Sequence, residues 1–104
     1  MNNYRRSRME LYIDVLRAIN NGRKSPSKIV NYANLSYDRV IKCVNFLEEK
    51  TLVKSIDNTR KRYAVTDKGK EVLYYFENIK RNMMLPSKEM PYQYNRNTPL
   101  LVKL

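Results

Sequence analysis

Histidine and tryptophan are absent from this 104-residue sequence, glycine occurs twice and cysteine once. Without histidine the chain lacks the commonest acid–base residue and metal ligand. A single thiol, Cys43, excludes an intrachain disulfide framework and leaves too few soft ligands for a zinc site. Two glycines cannot build a Gly-rich phosphate loop. Nothing here points to an enzyme, a cofactor or a bound metal. No run approaches the ~20 apolar residues of a membrane span, and "MNNYRRSRMELY" lacks the unbroken apolar stretch of a signal peptide. Acid is scarce too: 10 Asp and Glu stand against 21 Lys and Arg, a net charge of +11. Such an excess favours a polyanionic partner, nucleic acid or an anionic membrane surface.

What is present reads as one small domain with trimmings. Residues 1–8 carry Arg5, Arg6 and Arg8 and no acid, a basic arm. From Ser7 the pattern turns helical, with Met9, Ile13, Leu16 and, less regularly, Tyr12 and Ile19 on one face by i, i+3, i+4 spacing. "NNGRKSP" ends it, since Gly22 suits a left-handed cap. Ser25 and Pro26 then open a short helix, "SKIVNYA", that buries Ile29, Ala33 and, at the edge of the stripe, Val30. "NLS" breaks that helix, and Ser36 caps a third, in which Val40, Cys43, Val44 and Leu47 form an apolar stripe. Tyr37, Asp38, Arg39, Lys42 and Asn45 face away from it. "TLVKSI" and "RYAV" flank a polar turn at Asp57 and Asn58, a β-hairpin. Thr66 caps a fourth helix, in which Val72, Phe76, Ile79 and Met83 make a narrow seam. The last segment, 85–104, loses all period and reads as a tail.

The predicted class is therefore mainly α with a small β-hairpin. Helix, helix, helix, hairpin, helix, with a three-residue break before an amphipathic helix, is a winged helix-turn-helix plan: an arm at 1–8, the winged domain at 9–65, a C-terminal helix at 66–84 and a tail at 85–104. On "YRRSRMELYIDVLRAI", "LSYDRVIKCVNFLEEKTLV" and "RYAVTDKGKEVL" the chain also resembles the small basic archaeal winged-helix DNA-binding proteins, over roughly residues 4 to 80. The resemblance implies an antiparallel dimer through the C-terminal helix, with Val72, Phe76, Ile79 and Met83 at the seam. The chain departs from that family at Thr51, where many relatives have Gly, and in a shorter fourth helix followed by Pro86.

Independently of the resemblance, a helix fits the major groove, and in this motif the N-terminal half of the second motif helix approaches base edges. That half, within the helix 36–50, offers Ser36, Tyr37, Arg39 and Lys42, and Asn45 continues the same outward face. The hairpin adds Arg60, Lys61 and Arg62, the arm Arg5, Arg6 and Arg8, and the preceding helix Lys28. The basic clusters of arm, third helix and wing predict a double-stranded DNA partner, hence a transcription regulator or chromatin-type protein; the seam on the fourth helix predicts a homodimer, and the lack of a signal peptide or span a cytoplasmic, nucleoid-associated protein. The competing reading is a winged helix for protein contact or RNA, because fold does not fix function. A membrane-surface role is disfavoured, since the first and fourth helices mix acids into their polar faces. Tyr74, Tyr75 and Phe76 read as packing aromatics rather than a stacking platform.

Overall fold

The computed structural model describes residues 6–84, and Arg5 and the predicted tail lie outside the described residues. The order is α1 (Arg8–Asn20), α2 (Pro26–Ala33), α3 (Tyr37–Glu49), β1 (Val53–Ser55), β2 (Tyr63–Val65) and α4 (Asp67–Met84). The two strands pair antiparallel, with Val53 opposite Val65 and Ser55 opposite Tyr63. This is the winged helix-turn-helix arrangement, mostly helical with one hairpin.

Each helix starts and stops for a local reason. Ser7 and Glu10 form a reciprocal capping box at the head of α1: the Glu10 N–H donates to Ser7 Oγ at 3.1 Å and the Ser7 N–H to Glu10 Oε1 at 2.7 Å. These two bonds satisfy donors that a helix otherwise leaves unpaired. Gly22, at φ 95°, turns the chain out of α1, while the Arg23 N–H reaches back to the Ala18 carbonyl at 3.0 Å. Asn34 takes the left-handed conformation that ends α2, a role its short polar side chain tolerates. Ser36 accepts from the Arg39 N–H at 3.2 Å and starts α3.

The core forms where the three helices and the hairpin meet. Leu16, Ile19, Ile29, Leu47, Val15, Val40, Val44 and Val53 are its largest fully buried side chains. Each such side chain stabilises the fold by about 1.5–3 kcal/mol relative to leaving it in water. Met9 departs from the sequence expectation, being 62% exposed. It sits in the first turn of α1, which overhangs the core; Val15 and Ala18, off the expected stripe, are buried instead. Tyr12 and Phe46 join α1 to α3 as parallel rings with centroids 4.0 Å apart.

The fourth helix is anchored at its base. Thr66 donates its hydroxyl to the Thr51 carbonyl at 2.7 Å and accepts from the Gly69 N–H at 3.1 Å. Leu73 enters the core, and Arg17 of α1 donates to Glu77, with Nε at 3.0 Å from Oε2. The predicted seam divides along its length. Val72 and Phe76 are half-buried against their own domain, whereas Ile79 and Met83 are 61% and 78% exposed.

Candidate nucleic-acid interface

The helix-turn-helix proper is α2, the Asn34 turn and α3. Val40, Cys43, Val44 and Leu47 are all buried, so the opposite side of α3 is fixed outward. On that side Ser36, Tyr37, Arg39, Lys42 and Asn45 are exposed, as is Lys28 on α2. Rotation of α3 about its axis would bury charge, so the core stripe dictates which residues face solvent.

The first turn of α1, where the arm enters the helix, and α3 converge. Arg8, Leu11, Tyr12, Arg39, Lys42 and Cys43 line one open concavity of about 360 Å³. Two cations from the N-terminal half of α3 thus share a surface with one from the start of α1. Three positive groups around one depression reinforce each other's potential at its mouth. Lys42 is also held by Asp38, with Nζ 3.2 Å from Oδ2, in a pair about three-quarters exposed on both sides. Such an exposed pair contributes little to stability.

Cys43 forms part of the floor. Burial pushes its thiol above the ordinary range, against the opposing pull of the Arg39 and Arg6 charges. It remains a protonated, packed thiol, the inert state expected of a core cysteine.

Arg6 plays a different part from Arg8. Its Nη1 donates to Asp14 at 2.8 Å and to the Ala33 carbonyl at 2.7 Å, and its Nη2 to the Asn34 carbonyl at 3.1 Å. The guanidinium therefore clamps the arm to α1 and to the last carbonyls of α2, at the turn itself. A planar five-donor fork suits this task, and Lys would not reproduce it. Nothing in the sequence pattern marks it, because its carbonyl partners lie 27 and 28 residues away.

The wing carries its cations on a built turn. Asp57 Oδ1 accepts from the Thr59 N–H and hydroxyl, both at 2.8 Å. These bonds hold the Asp57 carboxyl below the usual carboxylate range. Arg60 Nε lies 3.8 Å from the same carboxylate, Lys61 is exposed and Arg62 half-buried. Arg62 contributes through its backbone too, since its carbonyl accepts from Ile56 at 2.9 Å. The wing is tied to α3 by Ser55, whose hydroxyl donates to Glu48 at 2.8 Å. Glu48, at the far end of α3, is thereby turned toward the hairpin, and the N-terminal half keeps the cations. The Lys24 carbonyl, in the α1–α2 loop, accepts from the Tyr63 N–H at 3.0 Å, so the hairpin is also braced by that loop. Among the described residues no group of three or more acids, Cys or His could hold a metal ion, and no helix is long and apolar enough to cross a membrane.

Comparison with known proteins gives a consistent picture. Residues 5–84 match a family model described as winged helix-turn-helix. A protein of unknown function from Listeria innocua superposes with a TM-score of 0.65 at 19% identity, over 84% of this chain and 61% of its own. Sso10a-2, a DNA-binding protein from Sulfolobus solfataricus, gives 0.61 at 25% identity, over 75% of this chain and 85% of its own. A MarR family transcriptional regulator from Silicibacter pomeroyi gives 0.59 at 16% identity, over 69% of this chain and 54% of its own. The chain thus spans less than two thirds of the Listeria and Silicibacter proteins. No curated protein sequence matches it.

Proposed function

Since the chain belongs to the winged helix-turn-helix family over residues 5–84, we propose that it binds double-stranded DNA, with the N-terminal half of α3 in the major groove and the wing on the flanking backbone. The observation that carries this reading is the shared concavity of Arg8, Arg39 and Lys42. It aligns two independent parts of the sequence, arm and α3, on one side and with one sign of charge. In this reading Tyr37, Arg39, Lys42 and Asn45 face base edges and Ser36 sits at the groove's rim. Arg8, Lys28, Arg60, Lys61 and Arg62 contact phosphates, which fix register without reading sequence. Arg6 acts indirectly, by holding the arm and the turn in place. The bound role is that of a transcription regulator or a chromatin-type protein.

The assembly that goes with it is a two-fold dimer through α4. The 4, 3, 4 spacing of Val72, Phe76, Ile79 and Met83 is palindromic, so an antiparallel pairing about a point between residues 77 and 78 sets Val72 against the second copy's Met83 and Phe76 against its Ile79. The covered base of one helix then receives the exposed tip of the other. A groove of about 360 Å³ lined by Met9, Tyr12, Leu16, Phe46, Leu52 and Val72 continues the apolar surface at that base. A two-fold dimer would present two copies of α3 to successive major grooves, ~34–36 Å apart.

The test pairs wing with helix. Arg60→Ala should weaken binding to every duplex alike, and Arg39→Ala should also flatten any sequence preference, by ~1–3 kcal/mol for a lost bidentate base contact. Identical behaviour of the two variants on selected and scrambled sites would contradict the assignment of roles. For the dimer, Met83→Glu is the clean variant because Met83 is 78% exposed, whereas Phe76 also packs on its own domain. Sedimentation equilibrium should show dimer for the native chain and monomer for the variant, and a native monomer at high micromolar concentration would exclude the dimer.

A further inference from the structure

Asp38 puts a negative charge on the face of α3 that otherwise presents cations to a polyanion. It is the second residue of α3, three-quarters exposed, on the face that carries Tyr37, Arg39 and Lys42. The other acids of α3, Glu48 and Glu49, lie at its far end, and Glu48 is occupied by Ser55. Ser36 already caps the helix through the Arg39 N–H. A carboxylate here therefore opposes non-specific attraction to the duplex at the very point of closest approach.

We infer that the Asp38–Lys42 ion pair is a single reading unit for one G·C base pair, an inference that rests on α3 lying in the major groove. The pair sets an acceptor-only carboxylate 3.2 Å from a donor-only ammonium. The major-groove edge of a G·C pair presents the complement: two guanine acceptors, N7 and O6, followed by the cytosine N4 amino donor. Lys42 Nζ donates to the guanine acceptors, and an Asp38 oxygen accepts from cytosine N4. An A·T pair fits worse. Its adenine N6 donor lies between two acceptors, N7 and the thymine O4, so a carboxylate placed on it meets a like partial charge on either side. The ion pair is exposed and weakly held in the free protein, so little is lost when it turns to the bases. Inside the groove, with water displaced, both charges interact more strongly than they do in solution. Asp38 thus lowers affinity for DNA in general and restores it at the right pair.

The full chain is used to select binders from a random duplex pool at moderate salt, beside Asp38→Ala and Asp38→Asn, with circular dichroism to confirm that all three are folded. The native chain should enrich a G·C pair at one position, with a preference of roughly 5- to 150-fold. Asp38→Ala should weaken enrichment at that position alone, keeping only what Lys42 gives to guanine, while binding scrambled duplex severalfold more tightly. Asp38→Asn should move the preference to A·T, because an amide pairs with adenine N6 and N7. A merely helix-stabilising Asp38 would change thermal stability and leave the selected sequence untouched, and that result overturns the inference. So does a native chain that binds duplex without preference, which would leave the DNA-binding reading standing. A native chain that binds no duplex removes both.

Discussion

Gly69 lies so close to Leu52 that a Cβ on it would stand 2.2 Å from the Leu52 carbonyl oxygen and 2.7 Å from Val65 Cγ1. That oxygen is not free to move, because it accepts the Thr66 N–H at 3.0 Å. The base of α4 is thereby pressed onto the end of the hairpin, which fixes the direction in which the helix leaves the domain. Gly69→Ala should cost about 1–3 kcal/mol through overpacking. A urea titration with an unchanged midpoint would contradict the close approach.

Thr51 is the opposite case. It holds φ at 62°, where a β-branched side chain is strained. The conformation is imposed from both sides: its N–H donates to Glu48 and the Leu52 N–H to Leu47, at 3.0 and 2.8 Å, in the double bond pattern that closes a helix. The chain therefore closes α3 with a left-handed cap built on Thr, and Thr carries the strain. Thr51→Gly should raise stability by about 1 kcal/mol, less the entropy that Gly adds to the unfolded chain. A lower unfolding midpoint would mean that the Lys68 Nζ contact with Thr51 Oγ1, at 3.3 Å, outweighs the strain.

The wing turn has a defined pH dependence. Asp57 is held below its ordinary range first by the Thr59 N–H and then by the Thr59 hydroxyl. A depressed folded value means that the contribution is present above the unfolded pKa, about 3.9, and is lost as pH falls through the lower folded value. The Thr59 amide resonance should stay constant from pH 8 to 5 and move only below the ordinary Asp range. A midpoint at or above that range would contradict the turn as described.

Removing the Arg6 clamp should act on the whole domain. Arg6→Ala removes the donor from Asp14 Oδ2, leaving Asp14 only its bond from Arg17, and from the Ala33 and Asn34 carbonyls, at a cost of about 1–3 kcal/mol chiefly from the part-buried Asp14 and Ala33 acceptors. Arg8→Ala, on an exposed residue, should leave the urea midpoint within ~0.5 kcal/mol of native. Equal losses for the two would contradict the separate roles assigned to neighbouring arginines.

The fold was legible wherever a period or a cap spoke for itself. Ser7, Ser36 and Thr66 stand at the heads of their helices, and the Val40, Cys43, Val44 and Leu47 stripe faces inward as its spacing requires. Contacts between distant segments were not legible. Arg6 with Ala33, Tyr12 with Phe46, Arg17 with Glu77 and Gly69 with Leu52 join residues whose separation carries no periodic signal. Met9 fits the α1 stripe by number but overhangs the core, because where a helix begins relative to its neighbours is a tertiary matter. At the candidate site the sequence named the basic residues of arm, α3 and wing. It could not separate Arg6, drawn into the fold, from Arg8 beside α3, nor pair Asp38 with Lys42 as anything beyond a helix charge.

On the proposed reading, this surface binds duplex DNA by neutralising phosphates. A fluorescence anisotropy titration of the full chain with a labelled duplex, repeated across a salt series, addresses it most directly. With ~5–8 phosphate contacts per monomer, log affinity should fall against log salt with a slope of roughly −4 to −7. A slope near zero, or no binding at low salt, would contradict it.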